Sequence, residues 1–309
     1  MRSLQVKWLA AATSIGMFLV LVNGALVTKT ESGRGCGDDW PLCNGKFVPA
    51  YTLESMIEYS HRAVTGIVGI LVLLTFIAVY RAYGKRSEPL VHASGIAFFT
   101  VLQAILGAMA VKWEQSSAVM ALHFGFSMIA FSFTVLLLLV IRRGRPGAAS
   151  VQPDAAALHV VRPGFRLLVW GSAVYSYAVV YLGAFVRHTD SSGGCDGWPL
   201  CNGEVIPELS GATGIAFIHR VGALLMLLLL IWLAAYANRT YPQNSEIRKL
   251  SNLTLLLVIL QVISGAFVVL TLDSANWYVL ASLVHTAIIA VLFSVLSYLS
   301  IRAWQLRIR

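Results

Sequence analysis

The sequence predicts an all-α integral membrane protein, with eight transmembrane helices arranged as two pseudo-symmetric four-helix bundles. Three observations predict this fold class. Hydrophobic residues make up 58% of the chain and charged residues only 12%, whereas a soluble domain is about half apolar and a quarter charged. Eight continuous apolar stretches each approach the roughly 20 residues that cross a bilayer as a helix. Finally, the second half of the chain repeats the motifs of the first.

The apolar stretches fall four in each half of the chain. The first has a basic start at Arg2 and Lys7, as a signal peptide does, but it exceeds the usual apolar length and no small-residue cleavage site follows it. We therefore expect a helix that is retained. The predicted helices are 8–27, 62–80, 93–111, 119–141, 166–186, 215–237, 250–271 and 279–301.

An internal duplication relates the two halves. Residues 24–43 read GALVTKTESGRGCGDDWPLC, and residues 183–201 read GAFVRHTDSSGGCDGWPLC. A repeat of this length predicts two similar structural units, so each motif can be tested against its own copy. Both blocks continue into Asn-Gly, a His-Arg pair and a later histidine, giving His61-Arg62 with His123 and His219-Arg220 with His285.

The segment 142–165 is rich in proline and small residues, which is typical of a linker. It predicts three parts: an N-terminal four-helix unit at 1–143, a linker at 144–163 and a C-terminal four-helix unit at 164–309. Each unit carries one long loop after its first helix, at 28–60 and 187–214. Ordered loops of this length are often functional.

Basic residues predict the orientation in the membrane. If the N-terminus is cytoplasmic, the inner segments hold 16 of the 23 Lys and Arg residues, whereas 11 of the 14 acidic residues lie outside. Inner segments of membrane proteins carry this basic excess. The sequence thus predicts a multi-pass protein of the cell membrane, with both termini cytoplasmic and the cysteine loops outside. The net charge of +9 is explained by topology and anionic lipid, without a nucleic-acid partner.

All four cysteines then lie outside, where disulfides persist. Cys36 with Cys43 and Cys195 with Cys201 would each close a small loop around Trp-Pro-Leu. Each bridge would stabilise its loop by roughly 2–3 kcal/mol. Two interpretations stay open: a structural staple or a redox-active pair. Zinc is disfavoured because no histidine stands at ligand spacing beside the cysteines.

The four duplicated histidines predict heme ligation. His61 and His219 lie at the outer start of the second helix of each unit, and His123 and His285 lie one to two turns into the fourth helix. One facing pair in each four-helix unit suits a six-coordinate heme. A single intramembrane histidine would more often bond another helix, but duplication favours ligands. We expect the unduplicated His92, His159 and His188 to lie in solvated loops.

Two further polar positions adjoin the first histidine of each unit. Arg62 and Arg220 could be snorkelling cations or partners of heme propionates. Glu58 lies one turn before His61 on the same helix face, whereas Ala216 stands in its place before His219. An acid beside one heme only is a candidate general base with a raised pKa. The alternative is an interfacial glutamate in water.

The whole chain resembles the heme A synthase family, through the doubled GALVT…C…WPLCNG loop, the EYSHR run, and the LHF and LVH histidines. It looks like the short bacterial form with paired outer-loop cysteines. The resemblance implies oxidation of a ring methyl group of heme O to a formyl group, by successive hydroxylations and loss of water, to give heme A for cytochrome oxidase.

The resemblance also implies a division of labour between the units. His61 and His123 would hold the substrate heme O, His219 and His285 would hold a resident heme B, and Glu58 would act in catalysis. The bridges Cys36–Cys43 and Cys195–Cys201 match the family's disulfides. The first bridge could also handle electrons or assist transfer of heme O from heme O synthase, and an electron carrier would complete the set of partners.

Three other functions are less consistent with the sequence. A diheme b-type cytochrome that only passes electrons would need equivalent halves, which the difference between Glu58 and Ala216 disfavours. A thiol-oxidising membrane enzyme would leave four histidines unexplained. A transporter fits parallel repeats, but the helices have no matching pair broken by glycine or proline.

Overall fold

The structure is a computed structural model that describes residues 2–49, 51–113, 115–144 and 160–306. Within these ranges it contains eight long helices and two short 3₁₀ turns, at Ser32–Arg34 and Ser191–Gly193. The helices are α1 Arg2–Lys29, α2 Leu53–Tyr83, α3 Glu88–Lys112, α4 Ser117–Arg143, α5 Pro163–His188, α6 Gly211–Thr240, α7 Ser245–Leu270 and α8 Ala275–Gln305.

All eight helices are long and apolar enough to cross a membrane. The predicted all-α fold with eight transmembrane helices is therefore confirmed. Every predicted stretch coincides with one helix, although the helices extend beyond the apolar stretches at most ends. The extensions carry polar residues, which hydropathy does not assign to a membrane helix.

The largest difference from the predicted bounds lies at the start of α2. This helix begins at Leu53, nine residues before the apolar stretch, and the Thr52 hydroxyl caps it by accepting from the Ser55 N–H at 3.3 Å. Its first turns include the buried side chain of Glu58. The predicted long loop is shorter as a result, and His61 lies inside α2 rather than at its start.

The helices form two compact units, Met1–Gly147 and Ala148–Arg309. In the first unit α1 packs on α2, α2 on α3, α3 on α4, and α4 returns to α1. This is the closed ring of an up-down four-helix bundle, which places α2 and α4 on opposite sides of the bundle interior. In the second unit α5 to α8 repeat the same ring, with α6 and α8 opposite each other.

Small polar side chains join the helices of the first unit. The hydroxyls of Thr13 and Thr75 are hydrogen-bonded at 2.7 Å, and Thr134 donates to Ser14 at 3.3 Å. Such bonds and close packing hold membrane helices together, because lipid provides no hydrophobic driving force between them. In the second unit, Phe165, Leu230 and Leu296 belong to a fully buried apolar core.

The expectation for the unduplicated histidines was wrong for His92. It lies in α3 and is only 4% exposed, with its ring 6.0 Å from that of Phe133 and its Nε2 3.9 Å from Glu88 Oε1. Helix formation continues to Glu88 because Ser87 caps it. The expectation of a solvated loop was also wrong for His188, which is the last residue of α5 and is partly buried. His159 and most of the predicted linker 144–163 lie outside the described residues.

Candidate heme-binding sites

The first histidine of each unit packs its ring against a glycine of the preceding helix. A Cβ atom added to Gly24 of α1 would lie 3.1 Å from Cε1 of His61 in α2. A Cβ on Gly183 of α5 would lie 2.8 Å from Cε1 of His219 in α6. A methyl group would clash with the ring at Gly183 and press tightly on it at Gly24, so glycine at these positions leaves the space that the imidazole ring fills.

The second histidine of each unit has the same kind of neighbour. A Cβ atom on Gly107 of α3 would lie 3.8 Å from Cε1 of His123 in α4, and one on Gly265 of α7 would lie 3.2 Å from Cε1 of His285 in α8. This contact between the glycine position and the histidine ring is tight at Gly265 and of ordinary van der Waals length at Gly107. All four histidines are thus positioned by helix pairs that follow one another in the chain.

The four glycines that contact the histidines share a sequence pattern that the duplicated motifs did not reveal. Each of the four glycines is followed by alanine, and each Gly-Ala dipeptide lies near the C-terminal end of an odd-numbered helix. The pattern therefore occurs four times, twice in each half. It could have been found by asking which residue would face each histidine across a short helix pair.

The histidines of the first unit lie on opposite helices, α2 and α4, and are close enough for His61 and His123 to interact electrostatically. The Nδ1 atoms of His61, His123 and His219 are buried without a hydrogen-bond partner among the described residues. Buried polar atoms are rarely left unpaired unless an ion or ligand accompanies them. Heme iron takes two axial imidazoles, so these residues fit one heme in each unit.

Glu58 is buried, with 4% of its surface exposed, and its carboxylate connects three parts of the first unit. Oε2 accepts a hydrogen bond from the backbone N–H of Cys36 at 2.8 Å, and Oε1 accepts from Arg62 Nε at 3.1 Å. The alternative of an interfacial glutamate in water is therefore wrong. Oε1 also accepts from Arg62 Nη2, so Oε2 is the oxygen that keeps a lone pair able to accept a proton.

Both arginines bind the disulfide loop of their own unit. Arg62 donates to the carbonyls of Asp39 and Leu42 as well as to Glu58. Arg220 donates to the carbonyls of Gly197 at 2.9 Å and Leu200 at 3.0 Å. A guanidinium that satisfies several carbonyls at once fixes the loop above the histidine helix.

The two units differ in how the arginine reaches the first cysteine. In the second unit Arg220 Nη2 donates directly to the Cys195 carbonyl at 2.8 Å, and Ala216 offers no carboxylate. In the first unit Glu58 stands between Arg62 and the Cys36 N–H. The first cysteine of the loop is thus connected to the arginine through a carboxylate in one unit and directly in the other.

The structure forms both predicted disulfides, Cys36–Cys43 and Cys195–Cys201. The second cysteine of each loop also closes a short backbone turn: the Cys43 N–H donates to Lys46 at 3.0 Å and the Cys201 N–H to Glu204 at 3.1 Å. All four cysteines are at most 2% exposed. The duplication therefore extends to backbone hydrogen bonding, which supports a shared structural role for the bridges.

Known proteins are similar to this chain over most of its length. Residues 7–297 match the family model COX15-CtaA, described as a cytochrome oxidase assembly protein. The heme A synthase of Symbiobacterium thermophilum is 42% identical over 93% of this chain and 92% of its own length. Those of Geobacillus kaustophilus and Bacillus cereus (strain G9842) are 42% and 38% identical over 97% and 98% of this chain, covering 92% and 94% of their own lengths.

The family match extends into both four-helix units and includes the histidines, glycines, arginines, cysteines and Glu58 of the two candidate sites. A family model that covers residues 7–297 includes both disulfide loops and all four duplicated histidines. The chain belongs to the COX15-CtaA family of cytochrome oxidase assembly proteins.

Proposed function

We propose that this protein is a heme A synthase, an oxidoreductase that converts a ring methyl group of heme O to a formyl group. Relatives of about 40% identity over nearly their whole length carry that name. The observation that carries the proposal is the buried Glu58 beside His61, in a position that Ala216 occupies in the other unit. Two equivalent electron-transfer sites, as in a diheme b-type cytochrome, would have no use for this difference.

The two units would hold different hemes. The first unit, with Glu58, would bind the substrate heme O through His61 and His123. The second, without a carboxylate, would bind heme B through His219 and His285. A heme B held by two histidines supplies one-electron transfer. The glycine–histidine contacts and buried ring nitrogens support a pair of ligands in each unit.

Glu58 would accept protons at the edge of the substrate ring. Converting a methyl to a formyl group with water as the oxygen source releases four protons and four electrons in total, and an external electron carrier must accept the electrons. A positioned base commonly contributes 10²–10⁴-fold to such a step. Arg62 and the Cys36 N–H hold the carboxylate in place, which preorganises it for that transfer.

The arginines would have a second use at the heme edge. Arg220 makes three hydrogen bonds to loop carbonyls, so two of its five N–H groups remain for a propionate. Arg62 has fewer left because Glu58 occupies part of its guanidinium. The propionate contacts proposed from the sequence are therefore compatible with the loop contacts, and the room for them is greater in the second unit.

The proposed surroundings follow from the positive-inside distribution. The loops with the disulfides would lie outside the cell membrane and both termini in the cytoplasm. Heme O synthase would deliver the substrate, an electron carrier would remove electrons, and lipid would surround the helices. The Cys36–Cys43 bridge fits the handover of heme O, because its loop contacts the start of α2 through Glu58 and Arg62.

The test uses Glu58→Gln protein purified from a host that makes heme O. We expect it to keep its hemes but to convert heme O to heme A at least 100-fold more slowly than the unaltered protein. Glu54→Gln, an exposed acid in the first turn of α2, is the matched control and should convert normally. Bound hemes are identified by chromatography and mass. Normal conversion by the Glu58→Gln variant would remove the proposed role, and heme B alone in every sample would favour the cytochrome.

A further inference from the structure

The histidines of α4 and α8 differ in what holds the imidazole ring. His285 Nδ1 lies 2.9 Å from the Ser264 hydroxyl, whereas His123 Nδ1 is buried without a hydrogen-bond partner in the described part of the chain. The repeats LQAILGA (102–108) and LQVISGA (260–266) align Leu106 with Ser264. A methyl-bearing side chain therefore stands in the first unit where the second has a hydroxyl.

The Ser264 hydroxyl lies 2.9 Å from both the Gln261 carbonyl and His285 Nδ1, and its single proton can go to only one of them. When it donates to the carbonyl, its oxygen accepts the proton of Nδ1 and Nε2 is the unprotonated ring nitrogen of His285. A metal-binding histidine needs this arrangement, in which one nitrogen donates to the protein and the other faces the metal.

In the first unit a serine lies on the other helix and acts on the glutamine instead. Ser127, one turn after His123, donates to Gln103 Oε1 at 2.9 Å or to the His123 carbonyl at 3.0 Å. Its counterpart after His285 is Ile289. Gln261, the counterpart of Gln103, places its amide nitrogen within 3.1 Å of both ring nitrogens of His285. The serine beside the second histidine therefore lies on the histidine helix, α4, in the first unit and on the neighbouring helix, α7, in the second.

We propose that Ser264 is a positioning residue that makes the second unit retain its heme, and that Leu106 leaves His123 able to release its heme. The inference rests on the proposed function, in which one heme is resident and the other is a substrate that must leave as product. A ligand with a fixed tautomer and orientation binds iron more tightly, and losing such a partner typically costs 10–100-fold in metal affinity. The anchored ligand is found in the unit that lacks Glu58, as a resident site requires.

The experiment measures transfer of heme B to excess apomyoglobin by absorbance, with protein isolated from cells that make heme B but no heme O. A His123→Ala background confines heme to the second unit. In it, we expect Ser264→Ala to lose heme about tenfold faster, and Ser264→Thr, which keeps the hydroxyl, to match the parent. Ser251→Ala removes a buried hydroxyl of α7 that has no partner in the described structure, and serves as the control.

Two further readouts separate positioning from general loosening of the bundle. Ser264→Ala should raise the midpoint potential of the bound heme, because a less basic imidazole stabilises the oxidised iron less. In a His219→Ala background isolated from cells that make heme O, Leu106→Ser should slow heme loss from the first unit. If Ser264→Ala loses heme no faster than Ser251→Ala, the proposal is overturned. Should Ser264→Ala fail to fold, unchanged heme loss from Leu106→Ser overturns it. None of these readouts needs heme O conversion, so they stand apart from the proposed function.

Discussion

Glu58 and Ala216 occupy the same position of their helices, one turn before a histidine, yet only Glu58 links an arginine to the disulfide loop. Burying an acid is costly unless its oxygens are paired, and here both oxygens are. The pairing explains how the first unit carries a carboxylate at the end of a membrane helix. It also means that moving the loop moves the carboxylate, so loop and base act as one structure.

Single glycines also show which positions of a helix contact a histidine. Gly183 and Gly171 both lie in α5, but a Cβ atom on Gly183 would collide with His219, while one on Gly171 would meet nothing within 4 Å. The two alanine substitutions have the same intrinsic effect on helix propensity. Any difference between them therefore reports the contact with the histidine.

We predict that Gly183→Ala displaces the His219 ring and lowers heme B bound to the second unit by several-fold, because an axial ligand must keep its direction toward iron. Heme content per protein, measured by pyridine hemochrome absorbance, checks this prediction. The Gly171→Ala variant should bind heme normally. Equal heme content in the two variants would contradict the proposed role of Gly183 in positioning the His219 ring.

At the scale of structural elements, the disulfide loop of each unit is bound to the helix that carries the first histidine of that unit. In each unit an arginine one residue after the first histidine binds carbonyls of the loop. Hydrogen bonds to a charged group are worth roughly 1.5–3 kcal/mol each. The arginine therefore stabilises the closed loop in addition to the disulfide.

We predict that Arg220→Gln makes the Cys195–Cys201 bridge roughly tenfold faster to reduce, since losing about 1.5 kcal/mol of loop stabilisation raises the open fraction by that factor. The check is the rate of thiol labelling during exposure to dithiothreitol, with the labelled peptides identified by mass. The Cys36–Cys43 bridge of the same molecule is the internal control. If both bridges accelerate equally, the loss is not local to the Arg220 loop.

At the scale of the whole molecule, the duplication gives two bundles with the same ring of helices and the same loop. Each bundle places its histidines on opposite helices, which leaves a site between them. Because the loops follow the first helix of each bundle and four predicted crossings separate them, we expect both loops on the same side of the membrane. The distribution of basic residues predicts that this side is the outside.

This orientation is tested with single cysteines in links far from the native bridges. An Asp273→Cys substitution in the α7–α8 link should react with a membrane-impermeant maleimide on intact cells, and Lys85→Cys in the α2–α3 link should react only after permeabilisation. Both positions are exposed, and all four native cysteines are bridged. The opposite labelling pattern would reverse the proposed topology.

The amino-acid sequence by itself determined the fold class, because membrane helices follow from the length of apolar stretches, and the duplication identified His61, His123, His219 and His285 as matched positions. The sequence also singled out Glu58, because the second half of the chain has Ala216 at the equivalent position. It failed for His92 and for the start of α2, where polar residues are buried by contacts that hydropathy does not register.

Only the tertiary structure showed what surrounds these side chains. The glycine–histidine contacts, the Arg62–Glu58–Cys36 connection and the Ser264–His285 hydrogen bond all join residues from different elements. Such contacts depend on which faces of two helices meet and at what height. Periodicity and spacing describe one segment at a time, so the partners that distinguish a resident heme site from a substrate site become visible only after the helices are packed.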